Sequence, residues 1–372
     1  MAGSSGLAPF GLREVLHDSP SIRGATLSHL AADAVGSDPD LADWVRSTPS
    51  PTQEHDINDT IGDIVVRPLS SQDELDLFLR LSYVLDDEVA DDLAEGRRRP
   101  EWMWVATSGD RLLARASWWG RPGAAAPDVL DFFDLDDTLD TDAAIAIGTR
   151  LLRTALAAVV PAGSTPPEYG RYLPPDWRDD PAARRVVESR MSVLEGLGAT
   201  PLVERLRLEW RAGSPVPVPS ERLRFRPVSD REELLALMEP VLQGTLDAHS
   251  RADLETSSPA DVAAKHFEGE FADFSSPREW WQVGELEDGE PVGFVIPARN
   301  SYHAIIAYVG VLPAHRGQGY IDDLLSRGTR ILADQDVPRI RASTDLGNVP
   351  MAQAFDRAGY VNFQRAINMT WA

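Results

Sequence analysis

The chain of 372 residues contains no cysteine. Disulfides, thiolate nucleophiles and Cys-ligated zinc or iron–sulfur sites are therefore excluded. Lysine is almost missing as well. Lys265 is the only one, so the basic residues are nearly all arginine, the pattern a GC-rich codon bias produces. Positive charge as a whole is scarce. Lys and Arg number 36 against 59 Asp and Glu, and 36 − 59 = −23. So acidic a chain is a poor match for a nucleic acid or an anionic membrane, whose binders rely on clustered cations, and suits a small cationic or neutral partner better. There is no apolar run of membrane-spanning length and no charged-then-apolar opening segment, so the expectation is no membrane span, no signal peptide and a cytoplasmic location.

What is present is ordinary globular composition, 43% hydrophobic and 26% charged, enough to bury a core in each of two domains with a segment left over. Residues 1–61 read as that segment. They are rich in Gly, Ser, Pro and Asp, with helix-like spacing only from Leu27 to Trp44, and are expected to be a partly helical, mobile extension. Two similar stretches follow. Ile64-Val65-Val66-Arg67-Pro68-Leu69-Ser70 leads to Glu74-Leu75, and Leu223-Arg224-Phe225-Arg226-Pro227-Val228-Ser229 leads to Glu233-Leu234; 226 − 67 and 233 − 74 both give 159. Gly148-Thr149-Arg150 matches Gly328-Thr329-Arg330 at offset 180, and Gly198 and Trp210 match Gly359 and Trp371 at offset 161. Four anchors in one order imply a duplication. The expected units are residues 62–211, a linker at 212–221 carrying Pro215, Pro217 and Pro219, and residues 222–372.

The second copy reads as an α/β domain of mixed sheet. A strand at Leu223–Arg226 precedes a helix from Asp230 to about Gly244, and a polar stretch from Asp247 to Pro277 holds a further helix and a loop. Strand Trp280–Glu287 turns at Asp288-Gly289 into strand Val292–Ile296, and strand Ala304–Val311 follows. Helix Ile321–Gln335, strand Ile340–Ser343, helix Pro350–Arg357, a stop at Gly359 and strand Phe363–Trp371 complete it.

The informative segment is Val309-Gly310-Val311-Leu312-Pro313-Ala314-His315-Arg316-Gly317-Gln318-Gly319-Tyr320. An apolar strand ends in a turn with two glycines that opens directly into a helix. Free N–H groups and the helix dipole favour an anion there, and glycine lets a phosphate approach the main chain. A P-loop is excluded, since no Gly-Lys-Ser/Thr follows, and the three glycines of a dinucleotide fingerprint are missing. Simple turn chemistry is the alternative.

Val-x-Val-x-Pro-x-x-Arg-Gly-x-Gly resembles the acyl-CoA pyrophosphate loop of the GNAT N-acetyltransferase superfamily. A second block, Asn348-Val349-Pro350-Met351 followed by Phe355 and Ala358-Gly359-Tyr360, is similar to that family's later segment. The resemblance covers Leu223 to the C-terminus, and more weakly residues 64–211. It implies two tandem GNAT-like domains, each a mixed, mostly antiparallel sheet flanked by helices, with central parallel strands that splay around acyl-CoA. Carried over residue by residue, the acetyl-CoA contacts fall on Val309, Gly310, Val311, Arg316, Gly317, Gln318, Gly319, Tyr320, Ile321, Asn348 and Phe355. Ile321 departs from the family's small residue, and Phe355 stands where a tyrosine commonly protonates the leaving thiolate, which leaves Tyr302, Tyr308 or solvent.

The resemblance implies direct attack by an amine of a small molecule or peptide on the thioester. The family's base often sits on the strand before the loop at positions matching Ile305 and Ala307, both apolar here. His303 shares their face and is the first candidate base; Glu285 on the hairpin strand and Asp345 before Asn348 are the others. The remaining histidines, His249 and His266 among them, show no metal spacing, so no metal is expected. Offset 180 places Asp136-Asp137-Thr138-Leu139 where the loop stands, amid Asp134, Asp140 and Asp142. Carboxylates repel a diphosphate, and the run lacks EF-hand spacing, so the first copy is expected to be a degenerate scaffold. The alternatives are a non-catalytic acyl-CoA-binding protein and, poorly suited by charge, an aminoacyl-tRNA-dependent peptidyl transferase. A monomer and a homodimer are both compatible with the duplication.

Overall fold

The computed structural model of the chain describes residues 63–371, apart from Pro217, Pro219 and Ser301. The expected extension and its Leu27–Trp44 helix lie outside the described residues. The first half runs β1 (Val65–Pro68), α1 (Leu75–Phe78), α2 (Val89–Ala94), β2 (Met103–Ser108), β3 (Arg111–Trp119), β4 (Val129–Leu135), α3 (Thr141–Val159), β5 (Glu168–Leu173), α4 (Pro181–Gly196) and β6 (Ala199–Arg211). The second runs β7 (Arg224–Pro227), α5 (Arg231–Val241), α6 (Ala248–Leu254), α7 (Pro259–Gly269), β8 (Gln282–Glu285), β9 (Pro291–Arg299), β10 (Ala304–Val311), α8 (Tyr320–Ala333), β11 (Arg339–Asp345), α9 (Val349–Arg357) and β12 (Val361–Trp371).

The duplication is visible atom by atom. Each half begins with an arginine on its first strand clamped to a glutamate at the following helical turn. Arg67 meets Glu74 at 2.7 Å and Arg226 meets Glu233 at 2.6 Å. The preceding serines, Ser70 and Ser229, donate backbone N–H and hydroxyl to the same carboxylates. These donors hold both glutamates at a pKa of about 2. The Gly-Thr-Arg repeat has an equally local cause. A Cβ on Gly148 would lie 2.7 Å from the Leu135 side chain, and one on Gly328 2.7 Å from that of Val295. Only glycine lets each crossover helix, α3 or α8, lie so close to its sheet.

The twelve strands of the described residues form one sheet in the order β1-β2-β3-β4-β5-β12-β6-β11-β10-β9-β8-β7. The last strands of the two halves are exchanged. β12 pairs antiparallel with β5 of the first half, and β6 pairs with β11 of the second. Between them β6 and β12 form the central ladder, in which Arg205 faces Ala366. Since 366 − 205 = 161, the offset of the sequence repeat, a local twofold crosses the sheet at this pair. The exchange divides the cores accordingly. Ile367, Met369 and Trp371 of β12 pack among residues of the first half, whereas Leu206, Leu208 and Trp210 of β6 pack with Leu324, Ile340 and Phe355 of the second.

Candidate active site

Both parallel pairs in the sheet join only briefly. β10 and β11 pair at Ala304–Ile340 and Ile305–Arg341, and β4 and β5 at Val129–Glu168 and Leu130–Tyr169. Beyond these points the strands diverge and leave backbone groups facing a V-shaped gap. In the second half the gap is a cavity of about 540 Å³ between the Ile306–Val311 edge and Ser343 and Thr344, with Asn348, Met351 and Phe355 of the α9 segment at one side. That is the size and lining of a ligand site. In the first half the gap is filled. Arg171 donates to the Phe133 carbonyl at 3.1 Å and pairs with Asp134 at 2.8 Å, while Arg190 donates to the Leu135 carbonyl at 3.2 Å and pairs with Asp137. The β4 carbonyls thus already have partners. Of the acidic run, Asp140 caps α3 and Asp136 pairs with Arg111.

The phosphate-type turn lies at the cavity's mouth. Gly317 and Gly319 have φ of 76° and 78°, the left-handed region that glycine enters without penalty. The other helices of eight or more residues are each capped by a side chain: α3 by Asp140, α4 by Asp180, α5 by Asp230, α7 by Ser258 and α9 by Asn348. α8 alone has none. Among the described residues no group accepts from the N–H groups of Gly317 through Ile321. Asp322 and Asp323 stand in this first turn, but Arg357 and Arg222 pair with them at 2.7 and 2.6 Å. The dipole end is therefore left electropositive.

Most residues anticipated as acetyl-CoA contacts come together here. Val309, Gly310, Val311, Arg316, Gly317, Gly319, Tyr320, Ile321, Asn348 and Phe355 all line the cavity. Two have other partners. The Arg316 guanidinium donates to the carbonyls of Val241 at 2.8 Å, Gln243 at 2.7 Å and Val311 at 3.2 Å, tying the end of α5 to the loop. Gln318 is exposed, donates to the Ala314 carbonyl at 3.4 Å and does not line the cavity. Asn348 lines it while accepting from Met351 N–H at 3.4 Å as the α9 cap. One strand feature bears directly on chemistry. The β9–β10 register slips between Ile306 and Tyr308, leaving Ala307 as a bulge on the cavity wall, and a bulge re-aims backbone groups.

None of the three base candidates lines the cavity. His303 precedes Ala304, behind the closed end of the V, with its N–H on the Asn300 side chain. Glu285 lies on β8, two strands from β10, paired with Arg226 at 2.7 Å. Asp345 is buried behind the wall. It accepts from Ala248 N–H at 2.6 Å and pairs with Arg205 at 3.2 Å.

Other titratable side chains occupy the wall instead: Arg205, Asp247, His249, His266, Glu270 and Tyr308. His249 reaches across to the first half. Its Nε2 is 3.1 Å from both oxygens of Glu168 on β5, and Asn368 of the exchanged β12 donates to the same carboxylate at 2.5 Å. Burial pushes the imidazole pKa down, but the Glu168 charge and hydrogen bond outweigh it and raise it to about 9. Asp247 caps α6 by accepting from Ser250 N–H. Burial opposes its ionisation, but Arg205 and His249 hold it at about 2. His266 is the opposite case: half-buried, its pKa is lowered chiefly by burial. Burial likewise raises Tyr308, so its phenol stays protonated. A signal for His266 exists in the sequence, because Val262, Ala263, His266 and Phe267 form one apolar helical stripe with a histidine in it. Among the described residues no cluster suits a metal ion, and no helix is long and apolar enough to cross a membrane.

Residues 245–360 match the model of the acetyltransferase (GNAT) family. The fold is similar to that of a GCN5-related N-acetyltransferase from Sphaerobacter thermophilus, at 16% identity and a TM-score of 0.55, covering 83% of this chain and 95% of that one. A tandem GNAT protein from the clavulanic acid biosynthesis pathway also matches, at 13% identity and a TM-score of 0.45, over 82% of this chain and 98% of that one. No curated protein matches the chain. The described residues thus have an α/β fold similar to that of a GCN5-related N-acetyltransferase, and the segment that matches the acetyltransferase (GNAT) family lies in the second half.

Proposed function

We propose that the protein transfers an acetyl group from acetyl-CoA to an amine of a small molecule or peptide, and that only the second lobe does so. The observation that carries this reading is the uncapped start of α8, five backbone N–H groups from Gly317 to Ile321 without acceptors, opening onto the one strand edge left free by the β10–β11 splay. A diphosphate fits those N–H groups, and a pantetheine amide chain fits the Val309–Val311 edge. Asn348 and Phe355 would flank the chain, while Arg316 and Gln318 would shape the loop rather than touch the ligand.

Holding thioester and amine together supplies much of the rate, since aligned groups reach effective molarities of about 10⁵ M or more. A backbone N–H re-aimed by the Ala307 bulge would suit the developing oxyanion. Phe355 supports a second reading, a protein that binds acyl-CoA without turnover, because it cannot donate a proton. Calorimetry with acetyl-CoA, beside release of free thiol over a panel of amines, tests both. The expected result is one acetyl-CoA per chain and amine-dependent thiol release. Two per chain would refute the one-lobe claim, and binding with no release would favour the second reading.

A further inference from the structure

We infer that His266 is the catalytic base, accepting the proton that the acceptor amine loses as it attacks the thioester. This assignment rests on the acyl-transfer reading above. Three observations support it. The first is place: His266 lines the cavity from α7, and its ring lies edge-on to Tyr308 with centroids 6.1 Å apart. Tyr308 directly follows the bulged Ala307, so the imidazole stands beside the irregular strand segment where the reacting carbonyl would lie.

The second is freedom. Three histidines line the cavity, and two are engaged by carboxylates: His249 by Glu168 and His315 by Glu290, each at 3.1 Å. No hydrogen bond or ion pair holds the His266 ring among the described residues. The third is the weakness of the rivals. Ile305 and Ala307 on β10 carry no titratable group. Asp247 is fixed by Arg205 and the α6 N-terminus, which makes its carboxylate a poor proton acceptor. His249 is already protonated at neutral pH.

The charged groups around His266 are Asp247, His249 and Asp253 of the α6 segment, its neighbour Lys265, Glu270 just beyond α7, and Tyr308 of β10. The two aspartates favour the imidazolium and Lys265 and His249 oppose it, but burial is the largest influence and keeps the ring neutral near pH 7. The step balances simply. The amine lone pair forms the N–C bond, the C–S pair leaves with sulfur, and the ammonium proton passes to the imidazole. The thiolate takes a proton from Tyr308, which solvent re-protonates, or from solvent directly.

The test compares the full chain with H266Q and H266A, using acetyl-CoA with putrescine, glucosamine and L-lysine as probe amines and thiol release as the readout. Expected are a loss of about 10²-fold or more in kcat and an acetyl-CoA Kd within twofold of the parent. The parent's log kcat/KM should steepen from one to two per pH unit on the acid side, below the ordinary imidazole range because burial lowers His266, where imidazole protonates as well as amine; the variants should stay at one. Added imidazole should partly restore H266A. H266Q activity within threefold of the parent, with the steep limb retained, would overturn the assignment alone. A parent that binds acetyl-CoA but acylates no amine would overturn the acyl-transfer reading and this assignment with it.

Discussion

Glu168 shows how one carboxylate ties the first half to the open cavity of the second. It belongs to the first half, yet it sets the charge of His249 on the wall of the second. The sign of its effect on stability follows. A folded pKa of about 9 against an ordinary value near 6.5 stabilises the fold fully below pH 6.5, and that gain fades as pH rises through 9. In E168Q the His249 resonance should titrate well below 9 by NMR, and the alkaline loss of stability between pH 6.5 and 9 should shrink; an unmoved titration would show that another group supports the cation. Gly319 is the second residue-scale case. A valine there meets open space at its Cβ, the nearest atom being the Arg222 guanidinium at 3.9 Å, but it must hold φ near 78°. We expect G319V to lose about 1–2 kcal/mol of stability and to raise the acetyl-CoA Kd at least tenfold, measured by calorimetry.

At the scale of elements, the contrast between α3 and α8 separates scaffold from site. The two crossover helices occupy the same place in the two halves, but Asp140 closes the first while the second is left bare. D140A should therefore lower stability by about 1 kcal/mol in a denaturant titration and leave acetyl-CoA affinity unchanged. Elements of this kind were readable from the chain because their causes are local: Asp230 caps α5, Gly359 follows α9, and Asp288-Gly289 closes the β8–β9 hairpin. Their ends moved where a neighbour intervened, as at Trp280, expected in a strand but held in a 3-10 turn after Pro277. The loop was legible for the same local reason. The cavity histidines were not, because a search along β10 cannot foresee which helix will cover it, and His266 reaches the site from α7, some forty residues earlier in the chain.

At the scale of the whole molecule, the duplication was legible and the pairing of its last strands was not. β6 and β12 offer the same pattern to either neighbour, so only tertiary packing decides which half each completes. The consequence is testable. Residues 222–372 expressed alone lack β6, leaving the β11 edge open and Leu324 and Ile340 without Leu206 and Leu208. Such a fragment should be insoluble or should dimerise by strand pairing, whereas the full chain should unfold in a single calorimetric transition. A monomeric, well-folded fragment would contradict the mutual dependence.

The strand exchange also bears on why a lobe with a filled cleft persists. Deleting the first repeat would leave its sibling missing a wall, since β6 and Glu168 both come from the first half. Arg171 and Arg190 occupy the first cleft without lining the second, whereas a change on β6 or β12 would be felt in both halves at once.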